Sequence, residues 1–423
     1  MFNLLKNLLA EFKANLDFMR GTLYRRCQFA QVPNKIKVAI GMRRVGKTYF
    51  IFQTIRNLMA EHNILWHQIL YINFEDDRLW PCTQAQLRDL LEGFYQLYPD
   101  NHNNTCYLFL DEIQNVEDWA LVIRRFFDTK KVQIYLTGSS ARLLSKEIAT
   151  SLRGRSISTE IWPYDFKEYL VAQHVQITED IFGQQTRDIL CDKLRQYLLQ
   201  GGFPETMNVS ADKNRQILQD YVDVVLMRDI IERYSITNIS LVKYLINTLI
   251  KNIGSGFSVH KFANDVKSQG LIGAKNTIYD YLSYIEDAYL AFAVSLFSES
   301  IRKVHSNPRK IYAIDPGLVN AFSFSLNDNY GHLFENLIYL DLRRKGHKIH
   351  YYLTQERYEV DFLTEDPLGQ RHLYQVVWDA SNANVLNREL RALKAAEHEL
   401  GLTGTLITPE SYIEILWNEQ HQL

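Results

Sequence analysis

Short apolar runs alternate with amphipathic segments along the first 165 residues. Residues 35–40, 105–110 and 131–136 form strand-like apolar runs. Helix-spaced apolar residues follow the first of them, from Tyr49 to Ala60. Strand and helix signals alternate in this way as far as Tyr164, which is typical of a parallel sheet flanked by helices. The predicted fold class is therefore α/β.

The N-terminal segment is predicted to be an amphipathic helix. Its apolar residues share one helical face, and they are Leu4, Leu5, Leu8, Leu9, Phe12 and Leu16. We expect this face to pack on the protein's own core. Docking on a partner or a neighbouring subunit is the alternative.

The first strand-like run ends in a phosphate-binding pattern. Residues 41–48 read Gly-Met-Arg-Arg-Val-Gly-Lys-Thr, a complete G-x-x-x-x-G-K-[ST] loop between a predicted strand and a predicted helix. Backbone N–H groups and the helix dipole attract phosphate at such a place, which argues against a chance glycine turn. Lys47 is expected to reach the β and γ oxygens of ATP, and Thr48 to ligate Mg²⁺. The predicted nucleotide-binding residues are Gly41, Arg43, Arg44, Val45, Gly46, Lys47, Thr48 and Tyr49.

Two acids, Asp111 and Glu112, follow the second apolar run. A buried parallel strand delivers such carboxylates to its C-terminal edge. We expect Asp111 to hold Mg²⁺ and Glu112 to polarise the water that attacks the γ-phosphate. The third run ends in small polar residues, of which Thr137 or Ser139 could contact the γ-phosphate or that water. An ordinary strand-ending turn is the alternative there.

Composition narrows the class of protein. The chain has 423 residues, of which 46% are hydrophobic and 23% charged, as in globular proteins of about two to four domains. The net charge is −2, so any contact with nucleic acid must come from local basic clusters. No stretch approaches the roughly 20 apolar residues of a membrane span. Since the 4 cysteines show neither pairing nor metal spacing, we expect a cytoplasmic protein with reduced thiols and no membrane partner.

Several short motifs are similar to those of one known family. They are Gly-Met-Arg-Arg-Val-Gly-Lys-Thr (41–48), Tyr-Ile-Asn-Phe-Glu-Asp (71–76), Leu-Asp-Glu-Ile-Gln (110–114), Thr-Gly-Ser-Ser (137–140), Leu-Arg-Gly-Arg (152–155) and Gly-Gly-Phe-Pro-Glu (201–205). Together they resemble prokaryotic AAA+ ATPases of the AAA_14 type, which carry a C-terminal DUF4143 region. The resemblance covers nearly the whole chain. It implies ATP and Mg²⁺ as cofactors and a homo-oligomer, with a hexamer as one option.

The resemblance also suggests roles for arginines outside the phosphate loop. Arg153 or Arg155 could act as an arginine finger on the γ-phosphate of a neighbouring subunit, with Arg142 as a weaker candidate. Residues 166–240 look like the helical lid that covers nucleotide in AAA+ folds, and Arg228 there could act as a sensor arginine. The alternatives are exposed loop arginines and, for Arg228, an ion pair within its own helix.

Residues 241–325 are predicted to form a winged helix. Three helical segments precede two strands at residues 292–297 and 309–314, and the spacing of the second and third helices suits a helix-turn-helix. The loop between the two strands carries a basic cluster suited to phosphates. Winged helices also serve as protein–protein modules, which is the alternative. The predicted DNA-binding residues are Lys275, Asn276, Arg302, Lys303 and Arg309, with His305 in the same loop.

The last segment, residues 326–423, resembles the PD-(D/E)xK nuclease core, in which a helix Glu, a strand Asp and then Glu-x-Lys bind a divalent metal and activate water. Glu335 and Asp361 match the first two positions, but Gln375 replaces the second strand acid and Val377 the lysine. Losing an anionic ligand weakens a hard-cation site, and losing the lysine removes charge that stabilises the reacting groups. We expect a degenerate nuclease fold that does not cleave DNA and serves binding or assembly. A structural domain without a nucleic-acid role is the alternative.

The sequence thus predicts a Mg²⁺-dependent AAA+ ATPase with four domains. The predicted task is ATP-driven binding or remodelling of DNA, including branched or otherwise structured DNA. The alternative is a nucleotide-controlled switch or scaffold that binds protein partners and turns ATP over slowly. The predicted domains are a parallel-sheet AAA+ core with the N-terminal helix (1–165), a helical lid (166–240), a winged helix (241–325) and a restriction-endonuclease-like α/β domain (326–423).

Overall fold

The structure is a computed structural model in which residues 1–18, 23–138, 151–175, 183–322 and 330–418 are described. The chain divides into two compact units, Met1–Trp162 and Pro163–Leu423, and each is described by itself. No helix in the described ranges is long and apolar enough to cross a membrane.

A parallel sheet forms the centre of the first unit. Its strands are β1 (Ile36–Ile40), β2 (Ile69–Asn73), β3 (Cys106–Asp111), β4 (Val132–Gly138) and β5 (Ser156–Glu160). The helices of this unit are α1 (Phe2–Phe18), α2 (Lys47–His62), α3 (Gln84–Leu97) and α4 (Trp119–Thr129). The strands lie in the order β2-β3-β4-β1-β5, and every neighbouring pair is parallel. The predicted α/β class with a parallel sheet is confirmed.

Both faces of this sheet are covered, as parallel sheets require. Every residue of β1 is buried. Val38 and Leu108 belong to one hydrophobic cluster with Leu90 of α3 and Phe126 of α4. Burial on two sides therefore explains the apolar character of β1 and β3, and no solvent-facing alternation is seen in β1.

Helix α1 packs on the first unit. Leu5 and Leu8 belong to the same hydrophobic cluster as the strands. Phe12 stacks against Tyr71 of β2, with ring centroids 5.3 Å apart. The expectation that the apolar face of this helix contacts the protein's own core is confirmed.

Helices make up the first part of the second unit. They are α5 (Phe166–Ala172), α6 (Gln184–Gln200) and α7 (Ala211–Val224), and α7 continues into a π-helical segment, Val225–Glu232. Gly201 and Gly202 separate α6 from α7. The Gly202 N–H donates to the buried carboxylate of Asp315 at 2.6 Å. A Cβ on Gly202 would lie 2.2 Å from the Tyr164 carbonyl oxygen, so only glycine allows this approach.

Three helices and a small antiparallel sheet follow. The elements are α8 (Ile239–Lys251), β6 (Gly256–Phe257), α9 (Val259–Ser268), α10 (Lys275–Asp287), β7 (Ala291–Val294), α11 (Ile301–Ser306) and β8 (Arg309–Ala313). The strands lie in the order β6-β8-β7. The three predicted helices and two predicted strands are present in that order. Strand β6 and the short helix α11, which lies in the loop between β7 and β8, were not predicted.

A second α/β layer ends the chain. After α12 (Pro316–Phe322), its elements are α13 (Tyr330–Arg344), β9 (Lys348–Leu353), β10 (Glu359–Glu365), β11 (Arg371–Val376), α14 (Ala383–Leu400), β12 (Gly404–Ile407) and α15 (Pro409–Asn418). The sheet order is β12-β11-β10-β9, with β12 parallel to β11 and the other pairs antiparallel. The predicted additional C-terminal sheet is therefore present.

The boundary between the two units lies close to the predicted boundary at 165/166. The finer divisions at 240/241 and 325/326 stay predictions. The second of them falls among residues 323–329, outside the described residues.

Candidate nucleotide-binding and hydrolysis site

The loop between β1 and α2 has the backbone geometry of an anion-binding turn. Gly46, directly before α2, is left-handed at φ 93° and has no side chain that could cap the first turn of the helix. Gly41 has φ 152°, and a Cβ there would lie 2.2 Å from the Ile161 carbonyl oxygen. The N–H groups that begin α2 therefore face the loop, where a phosphate group fits their partial positive charge.

Lys47 lies inside this loop. Its Nζ donates to the carbonyl oxygens of Gly41 and Met42, both at 3.1 Å, and lies 3.8 Å from Glu112 Oε1. The side chain is buried. A buried ammonium group held mainly by neutral carbonyls is well suited to bind phosphate oxygens, which carry full negative charge.

Asp111 ends β3 as a fully buried carboxylate held by three hydroxyl groups. Thr48 Oγ1 donates to its Oδ2 at 2.8 Å and the Tyr71 hydroxyl to the same oxygen at 3.0 Å. Thr137 Oγ1 donates to Oδ1. Burial, and then the charge of Glu112, raise the pKa of Asp111 above its usual value, and the hydroxyl donors oppose this rise. A cation bound here would stabilise the charged carboxylate.

Glu112 is held next to Asp111 by backbone geometry and by two side chains. Its backbone is left-handed at φ 52°, and its N–H donates to Thr137 Oγ1 at 2.9 Å. Gln114 Nε2 donates to Glu112 Oε2. The Thr137 hydroxyl therefore bonds to both acids, donating to Asp111 and accepting from Glu112. These two hydrogen bonds indicate that Thr137 positions the acids. They favour this role more than the predicted contact of Thr137 with phosphate or water.

The oxygen donors of this site fit Mg²⁺ only together with a nucleotide. The Thr48 hydroxyl and the Asp111 carboxylate are hard ligands, the kind that Mg²⁺ prefers. Within the described part of the chain, no group of three or more His, Cys, Asp and Glu side chains could hold a metal by itself. Mg²⁺ commonly takes one or two protein ligands, and phosphate oxygens and water complete its shell. Thr48 and Asp111 would hold it in this way.

The other predicted loop residues lie around this group. Arg43 forms an ion pair with Glu75 at 3.0 Å, and the side chain of Tyr49 is exposed. Val45 is buried, and its carbonyl oxygen accepts a hydrogen bond from Arg25 at 2.9 Å. Arg44 is left-handed at φ 69°.

Arg25 and Tyr71 are the contributors that sequence reasoning missed. The Arg25 guanidinium braces the loop at the Val45 carbonyl and also donates to the Trp162 carbonyl at 2.8 Å. Tyr71 belongs to the quoted motif 71–76, but no role was predicted for it. Tyr71 lies two residues before Asn73, which pairs with Asp111 of β3, so Tyr71 and Asn73 share one face of the sheet. This period of two is the signal that could have found it.

The arginine-finger candidates lie at the opposite edge of the sheet. Arg153 and Arg155 precede β5, which runs parallel to β1, so they lie at the amino-terminal edge, whereas the phosphate loop follows the carboxyl end. Arg155 pairs with Asp128 at 2.9 Å, and Arg153 is exposed. The structure therefore does not place Arg153 or Arg155 next to the phosphate loop of the same chain. Ser139 and Arg142 lie outside the described residues.

Comparison with known proteins agrees with this site. An uncharacterized protein of Methanocaldococcus jannaschii is 38% identical over 384 residues, covering 89% of this chain and 82% of that protein. An uncharacterized protein of Haemophilus influenzae is 30% identical over 329 residues, covering 78% and 79%. The AAA domain AAA_14 matches residues 33–170, and the domain of unknown function DUF4143 matches residues 330–414. The chain belongs to the AAA_14/DUF4143 family of P-loop ATPases.

Another family model matches the middle of this AAA_14/DUF4143 chain. A further domain of unknown function, DUF8612, matches residues 191–329. Among solved structures, the Walker-type ATPase paby2304 of Pyrococcus abyssi is similar with a TM-score of 0.43 at 13% identity, covering 68% of this chain and 90% of that chain.

The second unit of the AAA_14/DUF4143 chain carries the remaining predicted residues. Lys275 and Asn276 begin α10 and are exposed, as are Arg302 and Lys303 in α11. The Arg309 guanidinium lies 5.8 Å from the centre of the Tyr279 ring, which brings β8 next to α10. The His305 side chain lies outside the described residues.

The candidate sensor arginine has a local partner. Arg228 pairs with Glu232 one turn along the same helical segment, at 2.9 Å, and both side chains are exposed. The ion-pair alternative for Arg228 is therefore present in the structure.

The nuclease-like positions of the DUF4143 region form a buried cluster that includes an unpredicted lysine. Glu335 and Asp361 lie on either side of Lys310 Nζ, at 3.0 and 2.9 Å. Gln375 and Val377 are buried beside them. Val377 leaves the Glu-x-Lys position without a charge, but Lys310 of β8 brings an ammonium group into the cluster from another part of the chain.

The pKa values reflect this cluster. Burial, and then the charge of Asp361, raise the pKa of Glu335 to about 7. Burial alone would lower the pKa of Lys310, but Asp361 and the other neighbouring acids raise it well above its usual value. Lys310 is therefore a charged ammonium group at neutral pH.

A substitution of Thr137 tests the positioning of the two acids. Thr137→Val removes the hydroxyl, so we expect ATP turnover to fall about 10- to 100-fold, as for other residues that position ligands. Nucleotide affinity should change little because the phosphate loop is intact. Thr137→Ser keeps the hydroxyl and should restore most of the turnover. Steady-state kcat and nucleotide Kd measure both effects, and a serine variant as slow as the valine variant would contradict this role.

Proposed function

We propose that this protein is a Mg²⁺-dependent ATP hydrolase. The observation that carries the proposal is the convergence of four side chains from two segments, namely Lys47 and Thr48 at the start of α2 and Asp111 and Glu112 at the end of β3. They combine a phosphate-binding cation, two hard oxygen ligands and a carboxylate base within one buried site.

Each side chain has one task in this proposal. Lys47 exchanges its carbonyl partners for the β and γ oxygens of ATP, whose negative charge it compensates. Thr48 and Asp111 hold Mg²⁺, which supplies further compensation of phosphate charge when bound. Glu112 accepts a proton from the attacking water, and Gln114 and Thr137 fix its position.

Two substitutions separate binding from hydrolysis. Lys47→Ala should weaken ATP binding strongly because the phosphates lose their fixed counter-charge. Glu112→Gln should keep ATP bound but slow hydrolysis about 100-fold or more, since an amide is a poor base. Glu117→Gln removes a nearby exposed acid and serves as the control. Nucleotide titration and single-turnover hydrolysis measure the two steps, and wild-type hydrolysis by Glu112→Gln would refute the role of Glu112.

We further propose that Arg153 or Arg155 completes the site of a neighbouring subunit. The support is their distance from their own phosphate loop. Six residues of extended strand, from position 35 beside Arg155 to position 41, span about 20 Å. An arginine side chain is much shorter, so these arginines do not reach their own phosphate loop and are left for the nucleotide of another copy. Arg155 forms an exposed ion pair with Asp128, and breaking it would cost little free energy because exposed ion pairs contribute little stability.

Mixing two inactive variants tests this shared site. Arg153→Ala or Arg155→Ala should bind ATP normally but hydrolyse it slowly. Mixed with Glu112→Gln, the affected variant should regain part of the activity, because some interfaces then pair an intact arginine with an intact Glu112. Full activity of both alanine variants, or of a dilute monomer, would exclude the shared site. Light scattering at the assay concentrations gives the oligomeric mass.

We also propose that DNA binds at the wing surface, defined as Lys275, Asn276, Arg302, Lys303 and Arg309. The support is local charge in a chain of net charge −2, because each of these basic side chains can replace counterions of a phosphate backbone. Arg309 against Tyr279 joins the strand side of this surface to α10. ATP hydrolysis would then drive the binding or remodelling of this DNA, including branched or otherwise structured DNA.

Neutralising the wing surface tests the DNA proposal. Replacing Arg302, Lys303 and Arg309 together by Gln should weaken DNA binding and lower the slope of log K against log salt by about 2.7, or three phosphate contacts. The control replaces Lys213, Arg391 and Lys394, which are exposed on other helices. ATP affinity should stay constant in both.

ATP turnover measured with single-stranded, duplex and four-way-junction DNA decides between the two functions. Acceleration by DNA that the triple variant loses supports the proposal. Turnover that ignores all three DNAs, with unaltered DNA binding by the triple variant, would favour the protein-binding switch.

A further inference from the structure

A buried ammonium group lies where the resemblance to nuclease cores implies a divalent metal. Lys310 Nζ is 3.0 Å from Glu335 Oε1 and 2.9 Å from Asp361 Oδ1, the two carboxylates that match metal-binding positions. It is also 2.8 Å from Glu359 Oε1, at the half-exposed rim. The Lys310 side chain itself is buried. One nitrogen atom therefore contacts three carboxylates that come from α13 and β10.

The residues present do not fit a divalent ion beside this ammonium group. Mg²⁺ and similar ions need several oxygen ligands at about 2.0–2.2 Å, and the oxygens in question already accept hydrogen bonds from Lys310. Gln375, at the third ligand position, is turned to other partners. Its Oε1 accepts from the Asp361 N–H at 3.2 Å, and its Nε2 donates to Glu389 at 2.6 Å. A metal would have to displace a cation that is covalently part of β8.

We propose that the Lys310 ammonium group replaces the divalent cation of the nuclease-like site, so that the C-terminal domain needs no metal and the cluster joins β8 to α13 and β10. Two buried carboxylates that face each other repel, and a cation between them removes this repulsion. Both carboxylates also accept other hydrogen bonds. The Tyr312 hydroxyl donates at 2.7 Å to Glu335 Oε1, the oxygen that also accepts from Lys310, and the Val376 N–H donates to Asp361 Oδ2 at 3.0 Å. Several hydrogen bonds to each carboxylate are what a buried ionic cluster requires.

Removing the ammonium group should turn this cluster into a metal site. In Lys310→Met the apolar stem is kept, but the three carboxylates lose their shared cation. Without nucleotide, we expect the full-length variant to melt about 5–10 °C below the wild type, since an uncompensated buried charge is strongly destabilising. Mn²⁺ should restore much of this loss and bind at about one ion per chain in calorimetric titration. The wild type should show neither effect.

A surface lysine of the same sheet provides the matched control. Lys348 pairs with Glu365 at 2.7 Å but is largely exposed. Lys348→Met should therefore melt within about 1–2 °C of the wild type and gain no Mn²⁺ response. Mn²⁺ binding by the wild type that Asp361→Asn abolishes would show a metal site in the native protein and overturn the proposal. A Lys310→Met variant that melts like the wild type and ignores Mn²⁺ would overturn it as well.

A double variant keeps the test decisive if Lys310→Met does not fold. Asp361→Asn removes one buried charge, so Lys310→Met combined with Asp361→Asn should melt above either single variant and should bind no Mn²⁺. This recovery follows because both members of the ion pair are gone, whereas each single change leaves one charge without its partner. Stability losses that simply add in the double variant would show that Lys310 and Asp361 are independent, against the proposal.

Discussion

The carboxylate of Asp111 is the constraint on which the ATPase site depends. It is fully buried at the end of β3, where its charge is unfavourable without compensation. Three hydroxyl groups compensate it, and they come from three different elements, Thr48 of α2, Tyr71 of β2 and Thr137 of β4. The carboxylate therefore fixes the start of the helix relative to the strands. Thr137 extends this control to Glu112 through the backbone N–H of that residue.

The phosphate loop and the two acids could be predicted from the sequence because each consists of residues that are contiguous in the chain. The loop before Lys47 and the acids after β3 are contiguous residues between a strand and a helix, and their types follow from phosphate and metal binding. Tyr71 and Arg25 could not be predicted in the same way. Tyr71 reaches Asp111 across 40 residues and Arg25 reaches Trp162 across 137. Such contacts depend on strand order and register, which periodicity alone does not fix.

Lys310 of the nuclease-like cluster could not be predicted from the sequence for a different reason. The Glu-x-Lys spacing is a local rule, so Val377 predicts the loss of a positive charge. The two buried carboxylates require a cation between them, and a strand that is distant in the sequence can supply it. Lys310 supplies it, although it is 25 residues from Glu335 and 51 residues from Asp361 in the sequence. The available signal was Lys310 directly before the apolar residues Ile311, Tyr312 and Ala313 of a predicted strand, because a lysine buried there needs a partner.

Strand β8 carries one basic residue of the wing surface and, next to it, the lysine of the buried carboxylate cluster. Neighbouring residues of a strand point to opposite faces, so Arg309 lies against Tyr279 of α10 while Lys310 lies among the carboxylates. Because buried ion pairs resist displacement, the cluster holds β8 to α13 and β10. Glu335 and Asp361 thus have a structural use that requires neither a third ligand nor a metal.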